Sequence, residues 1–280
     1  MQRTTLVSVY ITTCNRLEKL KEALASVQRQ TYKNIEIIVA DDCSDDGTQE
    51  FMDDYVNNNI NTKYIRSKIR QGACANRNNA INVANGEFIT GLDDDDLFRE
   101  NRIELFLERW EEEFSFLCAN YYDVYNNEHY RLPSACNDKV FNYRDLYFKN
   151  VATNQIFTKT SYLKVIKGFN PEIKRLQDWD TWLRLSFNKG KFLFLGSPTY
   201  YMRHENKLEE PRVSTSYPID RALEDLLNYN RKIYGWRYYQ RMCYVKYLRG
   251  ELSFASAIYW ALVEFKPSNF FRYFLKNKNI

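Results

Sequence analysis

Four consecutive aspartates, Asp93 to Asp96, follow the apolar run Gly86-Glu87-Phe88-Ile89-Thr90-Gly91-Leu92, which reads as a buried strand. Carboxylates this close raise one another's pKa and repel, so something positive must neutralise them. If the segment stays extended, Asp93 and Asp95 share one side and Asp94 and Asp96 the other. Two carboxylates converging from a strand end form a small, hard oxygen site suited to Mn²⁺ or Mg²⁺, with phosphate oxygens completing the shell. A solvated acidic turn capping the next helix is the plainer reading of an acidic run. The apolar strand in front of it favours the metal. Other groups have plain readings by pattern alone. Asp178 and Asp180, beside Trp179 and Trp182 on an amphipathic segment, are first-turn aspartates favoured by a helix dipole. Thr12 and Asn15 are turn residues, Arg77 is a solvated arginine, and His204 is a hydrogen-bonded histidine. His129, among Asn126, Asn127 and Glu128, belongs to a surface loop.

The elements that must position these groups alternate. Leu6 to Ile11 is a β-rich run that ends in the polar loop Thr12-Thr13-Cys14-Asn15-Arg16. Leu17, Leu20, Leu24 and Val27 recur at helical spacing. Ile35 to Ala40 is a second buried strand closed by Asp41-Asp42-Cys43-Ser44-Asp45-Asp46-Gly47. A helix begins near Thr48, Thr62 to Arg66 is a weaker strand, and 75–84 reads as helix. This order favours a doubly wound, mostly parallel α/β sheet with helices on both faces. Ligands bind beyond the carboxyl ends of such strands. That rule gathers the Thr12–Arg16 loop, Asp41, Asp42 and the aspartate run at one edge. Neither GxGxxG nor GxxxxGK[ST] is present, which disfavours a dinucleotide enzyme or a P-loop NTPase. A diphosphate would have to be held by metal and side chains such as Arg77.

The 280 residues suffice for one large α/β domain or two small ones. The 44% hydrophobic and 27% charged content is that of a soluble globular protein. Charge is uneven. From Asn228 onward ten Lys/Arg meet two acidic residues, a net of +8 that leaves −4 for the rest of a chain at +4 overall. This tail interleaves bases with aromatics, including Arg231, Trp236, Arg237, Tyr239, Trp260, Phe265, Phe270, Phe271, Arg272, Tyr273, Phe274 and Lys276. Basic aromatic helices suit an anionic membrane interface. A packing domain with a solvated basic face is the competing reading. Nucleic acid is disfavoured, because the acidic edge repels a phosphate backbone. Six cysteines without CxxC or zinc spacing fit free thiols in a reducing cytoplasm. The first apolar stretch is too short for a signal peptide, and no window approaches the roughly 20 apolar residues of a membrane span. The expected place is cytoplasmic, peripheral on the inner face of the cell membrane.

Val7 to Arg16 resembles the opening strand of family 2 glycosyltransferases of GT-A fold. So do Ile38 to Thr48, Ala75-Asn76-Arg77-Asn78 with Asn85 to Ile89, and Leu92-Asp93-Asp94-Asp95-Asp96-Leu97, where that family carries its DxD motif. Gly168-Phe169-Asn170-Pro171 and Gln177 to Leu185 resemble its acceptor-side segment with the catalytic carboxylate. The likeness spans about residues 6–205. It implies that Thr12 and Asp42 contact the uracil of a UDP-sugar with Asp41 nearby. Asn15, Arg16, Arg77 and Asp94 would complete the nucleotide-sugar contacts. It further implies that Asp93 faces ribose and metal, Asp95 is the main ligand of Mn²⁺ or Mg²⁺, and Asp178 is the general base. His204 resembles a family histidine near acceptor or diphosphate. One departure is Gln177, where the family has Glu.

These readings converge on an inverting, metal-dependent hexosyltransferase. It would move glucose or galactose from a UDP-sugar to a polyprenyl-diphosphate-linked N-acetylhexosamine, with a β-linkage, in O-antigen or capsule synthesis. The expected division is a nucleotide-sugar half (1–116), an acceptor half (117–227) and a basic aromatic helical tail (228–280). A sugar-phosphate nucleotidyltransferase is the neighbouring alternative, but the Thr12–Arg16 loop lacks the glycine such enzymes use. A non-catalytic nucleotide-sugar-binding protein is the other.

Overall fold

The computed structural model describes residues 5–125, 129–131, 137–153, 155–204 and 217–249, with Ile258 and Leu262. Two compact units divide the chain, residues 1–172 with 177–210, and residues 173–176 with 211–280. In the first, strands β1 (Val7–Thr13), β2 (Ile35–Asp41), β3 (Thr62–Arg66) and β4 (Phe88–Asp93) alternate with helices α1 (Leu17–Gln28), α2 (Thr48–Asn58) and α3 (Ala73–Val83). β1 pairs in parallel with β2 on one side and with β4 on the other, and β2 pairs in parallel with β3. The chain therefore winds outward from β1 to β3 and returns past β1 to β4. The seam between β1 and β4 is the switch point where such sheets open a crevice.

The sheet continues through β5 (Leu97–Phe98), β6 (Leu117–Tyr125), β7 (His129–Arg131), β8 (Lys139–Phe141), β9 (Phe157–Lys159) and β10 (Phe192–His204). Its order is β3-β2-β1-β4-β9-β6-β10-β5, with β7 on β6 and β8 on β10. β9 runs antiparallel to both β4 and β6, and β6 is parallel to β10. Hence β6 and β10 point the same way as β1 to β4, and their carboxyl ends reach the same edge. The expected mostly parallel α/β sheet is what the chain forms. His129, expected in a loop, opens β7 opposite Tyr125.

Strand alternation sorts side chains between two helical layers. Val7, Val9 and Ile11 of β1 join Leu20, Ala23, Leu24 and Val27 of α1 and Ile103 and Phe106 of α4 (Arg102–Arg109) in one buried core. On the opposite face lie Ser8 and Tyr10, with α3, α5 (Thr160–Val165) and α6 (Gln177–Lys189). Trp182 of α6 packs there against Phe116 and Phe169. This second face is polar in places. Buried Glu36 accepts from the Ser8 hydroxyl, the Lys63 ammonium and the Asn85 and Gly86 amides, which pins the turn that launches β4.

The second unit contains α7 (Ile219–Tyr229), α8 (Arg231–Tyr234) and α9 (Arg237–Arg249). Ala222, Leu223, Leu226 and Leu227 of α7 are buried, as are Tyr234 and Val245. Arg249 closes the packing by pairing with Asp220 and Glu224. The tail residues Trp260, Phe265, Phe270 to Phe274 and Lys276 lie outside the described residues, as do Asn126, Asn127, Glu128 and Cys136. Among the described residues no helix is long and apolar enough to cross a membrane. The cysteines 14, 43, 74, 118 and 243 are free thiols.

Candidate active site

The aspartate run does not stay extended. β4 ends at Asp93, and the Asp96 amide donates back to the Asp93 carbonyl at 3.0 Å, closing a tight turn. The turn still sorts the four carboxylates in pairs. Asp94 and Asp96 are buried, whereas Asp93 and Asp95 are partly exposed. Asp96 accepts from the Tyr200 hydroxyl at 2.7 Å and from the Arg203 amide at 2.8 Å, tying the turn to β10. Burial pushes its carboxyl well above the usual range. Burial likewise lifts Asp94 to about 6, against the pull of the Arg16 guanidinium.

The neutralising charges are arginines. Arg16 spans Asp94 and Asp95 at 3.0 and 3.1 Å. The Arg203 Nε donates to the Asp95 carbonyl, and its Nη1 pairs with Glu22. Arg77, read from pattern as a solvated residue, is buried instead. Its Nη2 donates to Asp93 at 3.1 Å and its Nη1 to the Gln177 side-chain oxygen at 3.0 Å, 3.7 Å from the Asp178 carboxylate. The guanidinium also lies over the Phe169 ring. Its neighbours explain how α3 can aim it. The Asn76 amide donates to the Ala40 carbonyl at the end of β2, and Asn78 bonds both the amide and the carbonyl of Phe169. Three consecutive polar residues thus fasten one helix to the ends of β2 and β4, the start of α6 and the Phe169 loop.

Asp178 stands in the first turn of α6, as its pattern implied. Its Oδ1 is buried without a hydrogen-bond partner, although the side chain as a whole is about 26% exposed. Burial lifts its carboxyl to about 7; Arg77 pulls it down and the Asp93 charge pushes it up. A carboxyl poised there exchanges protons near neutral pH. Gln177 matters to this balance. Being neutral, it orients Arg77 without competing for its charge.

The remaining sequence-derived residues lie along the same edge. Thr12 is paired in register with both Ala40 and Asp93, on the switch-point seam. Asn15, in left-handed backbone (φ 55°), bonds Ser44 and the Asp45 amide. Asp41 is fully buried, taking Ser44 and Tyr64 on its two oxygens with Arg66 at 3.7 Å. Asp42 accepts the amides of Gln71 and Gly72 ahead of α3. His204 closes β10, bonded to Asp123 at 2.7 Å and stacked on Tyr125. The arginine–aspartate cluster therefore joins Arg16, Arg77, Asp93, Asp94, Asp95 and Asp178, while His204 reaches the same edge through β10. Sequence reasoning missed Tyr200, Arg203 and Gln155, whose Nε2 donates to Asp93 at 3.0 Å. Arg203 stood beside His204.

Asp93 and Asp95 offer the hard carboxylate oxygens that Mn²⁺ or Mg²⁺ accepts. Among the described residues no three His, Cys, Asp or Glu side chains group to hold an ion by themselves.

Comparison with known proteins places the chain in a family. WcaA of Escherichia coli K12, named "Putative colanic acid biosynthesis glycosyl transferase", is 34% identical over 250 residues, covering 78% of this chain and 88% of that protein. A second Escherichia coli protein, the UDP-Glc:alpha-D-GlcNAc-diphosphoundecaprenol beta-1,3-glucosyltransferase WfgD, is 32% identical over 123 residues, 44% of this chain and 48% of that one. Staphylococcus aureus TarS, solved as residues 1–349 with UDP-GlcNAc, superposes with a TM-score of 0.67 at 21% identity, over 85% of this chain and 71% of that one. That likeness supports the GT-A fold. The sequence model of glycosyl transferase family 2 matches residues 8–167, more than half of the chain, and the protein belongs to that family.

Proposed function

We propose that this glycosyltransferase moves a hexose, glucose or galactose, from a UDP-sugar to a polyprenyl-diphosphate-linked N-acetylhexosamine, with inversion to a β-linkage. The product would enter a surface polysaccharide of the O-antigen or capsule type. The observation that carries this reading is the placement of Asp178. A carboxyl near pKa 7 shares one buried arginine with the first aspartate of the strand-end turn. A proton acceptor would thus stand beside the edge that faces the diphosphate. The names of WfgD and of TarS's ligand favour a UDP-sugar, and WfgD's name favours a lipid diphosphate acceptor.

In this mechanism Thr12, Asn15, Asp41 and Asp42 would frame the nucleotide on the seam side, and Arg16, Arg77 and Asp94 would surround the diphosphate. Asp93 and Asp95 would hold Mn²⁺ or Mg²⁺, which when bound supplies Lewis-acid stabilisation of the departing UDP. Asp178 takes the proton of the acceptor hydroxyl as that oxygen attacks the anomeric carbon. Such a base contributes roughly 10²–10⁴-fold. One displacement with no covalent intermediate inverts an α-linked donor. His204, bonded to Asp123, would face the acceptor or the diphosphate. Residues 1–116 would serve the donor and 117–227 the acceptor, while the tail from 228 would rest on the cytoplasmic membrane face.

The test is incubation with UDP-[¹⁴C]glucose or UDP-[¹⁴C]galactose, Mn²⁺ and a synthetic N-acetylglucosamine-diphosphate-lipid. Label should reach the lipid phase with wild-type protein and be lost with Asp95→Ala. Pyrophosphate released from UTP and a hexose 1-phosphate would point to nucleotidyl transfer instead.

A further inference from the structure

We propose that Gln155 is a positioning residue for Asp93: its side-chain amide fixes how that carboxylate meets the donor. The proposal rests on the donor reading above. Gln155 lies just ahead of β9 and is 2% exposed. Its Nε2 donates to Asp93 Oδ1 at 3.0 Å, the same oxygen that Arg77 reaches at 3.1 Å. Only the N–H₂ end of an amide can face a carboxylate, so the direction of the side chain is set by chemistry. The opposite end, Oε1, is then left buried without a hydrogen-bond partner. An orphaned buried acceptor needs a reason to persist.

The surroundings hold the amide in that orientation. A Cβ on Gly91 would stand 2.2 Å from Gln155 Oε1 and 2.5 Å from the Tyr10 ring. Glycine weakens a strand interior, and here it admits two side chains that could not otherwise approach β4. From behind, the buried Arg102 reaches the Gln155 carbonyl at 3.4 Å and the Thr199 hydroxyl at 2.7 Å. Its guanidinium sits among the rings of Phe98, Phe106 and Tyr200. Arg77 serves Gln177, Asp178 and Asp93 together, so a diphosphate that draws Arg77 would weaken its hold on Asp93. Gln155 supplies a second, uncharged donor that stays in place. A glutamate there would repel Asp93 instead.

Calorimetry of UDP, with and without Mn²⁺, on wild type, Gln155→Leu and Gln155→Glu tests this. UDP affinity in Mn²⁺ is expected to fall at least tenfold in both variants. In Gln155→Leu, affinity for UDP alone should change less than threefold. Wild-type affinity in Gln155→Leu would overturn the proposal and leave the donor reading standing. Failure of wild-type protein to bind UDP with Mn²⁺ would overturn the donor reading, and this proposal with it. Should the variants not fold, the side-chain amide resonance of Gln155 in wild type decides. It should broaden when Mn²⁺ is added with UDP, and a resonance that stays sharp contradicts the proposal.

Discussion

Asp178 holds its proton more tightly than an ordinary aspartate because burial outweighs the nearby arginine. The stability consequence has a definite sign. The folded pKa of about 7 lies above the unfolded value of about 3.9, so the native state binds the extra proton between them. The wild-type protein therefore loses stability as pH rises from about 4 to 7. Asp178→Asn removes that loss. Thermal melts should show the variant more stable by about 2–4 kcal/mol above pH 7, with the gain vanishing below pH 4. A gain independent of pH would contradict the assignment. Gln177→Glu should act oppositely on chemistry: a second carboxylate competing for Arg77 raises the Asp178 pKa. The acid limb of kcat/KM, where activity rises as Asp178 loses its proton, should move upward by about one pH unit. Arg77 shows where single-residue reading stops. Nothing in its neighbours' polarity marks burial, because Asn76, Arg77 and Asn78 are buried or half-buried through hydrogen bonds to distant backbone rather than through apolar contact.

At the scale of elements, the turn after β4 separates chemistry from scaffolding. Asp95 is about 36% exposed, and Arg16 keeps Asp94 without it. Asp95→Ala should therefore melt within about 0.5 kcal/mol of wild type while losing UDP–Mn²⁺ binding. Asp96→Ala strips the Tyr200 hydroxyl and the Arg203 amide of their acceptor, and should cost about 2 kcal/mol or more in urea unfolding. Equal stabilities would undo this division. The first half of the sheet was legible because parallel strands buried on both faces read as continuous apolar runs, as in β1 and β2. The later strands were not. β5, β7, β8 and β9 are two or three residues long, and their pairing is decided by partners far along the chain. Gln155 lies beside one of these short strands, outside any motif, so no spacing could have found it.

Over the whole molecule, the acidic catalytic unit and the basic tail divide the charge that sums to +4. In the second unit Trp236 and Tyr239 are 67% and 63% exposed, with Arg237 against the Trp236 ring and Arg231 against Tyr238 and Tyr239. Amphipathic rings beside cations suit the headgroup layer, where each nearby base contributes about 1 kcal/mol on an anionic surface. Co-sedimentation with vesicles rich in phosphatidylglycerol should exceed that with neutral vesicles and fall with salt. Trp236→Ala combined with Arg231→Glu should reduce it at least tenfold. Binding indifferent to lipid charge would make this face a solvated one.

Transfer of radiolabelled hexose by Asp178→Asn, measured beside its affinity for UDP with Mn²⁺, probes most directly whether that carboxyl is the base opposite a diphosphate edge. The expected result is UDP affinity within about threefold of wild type and a transfer rate lower by at least 10²-fold. Transfer within tenfold of wild type would contradict it.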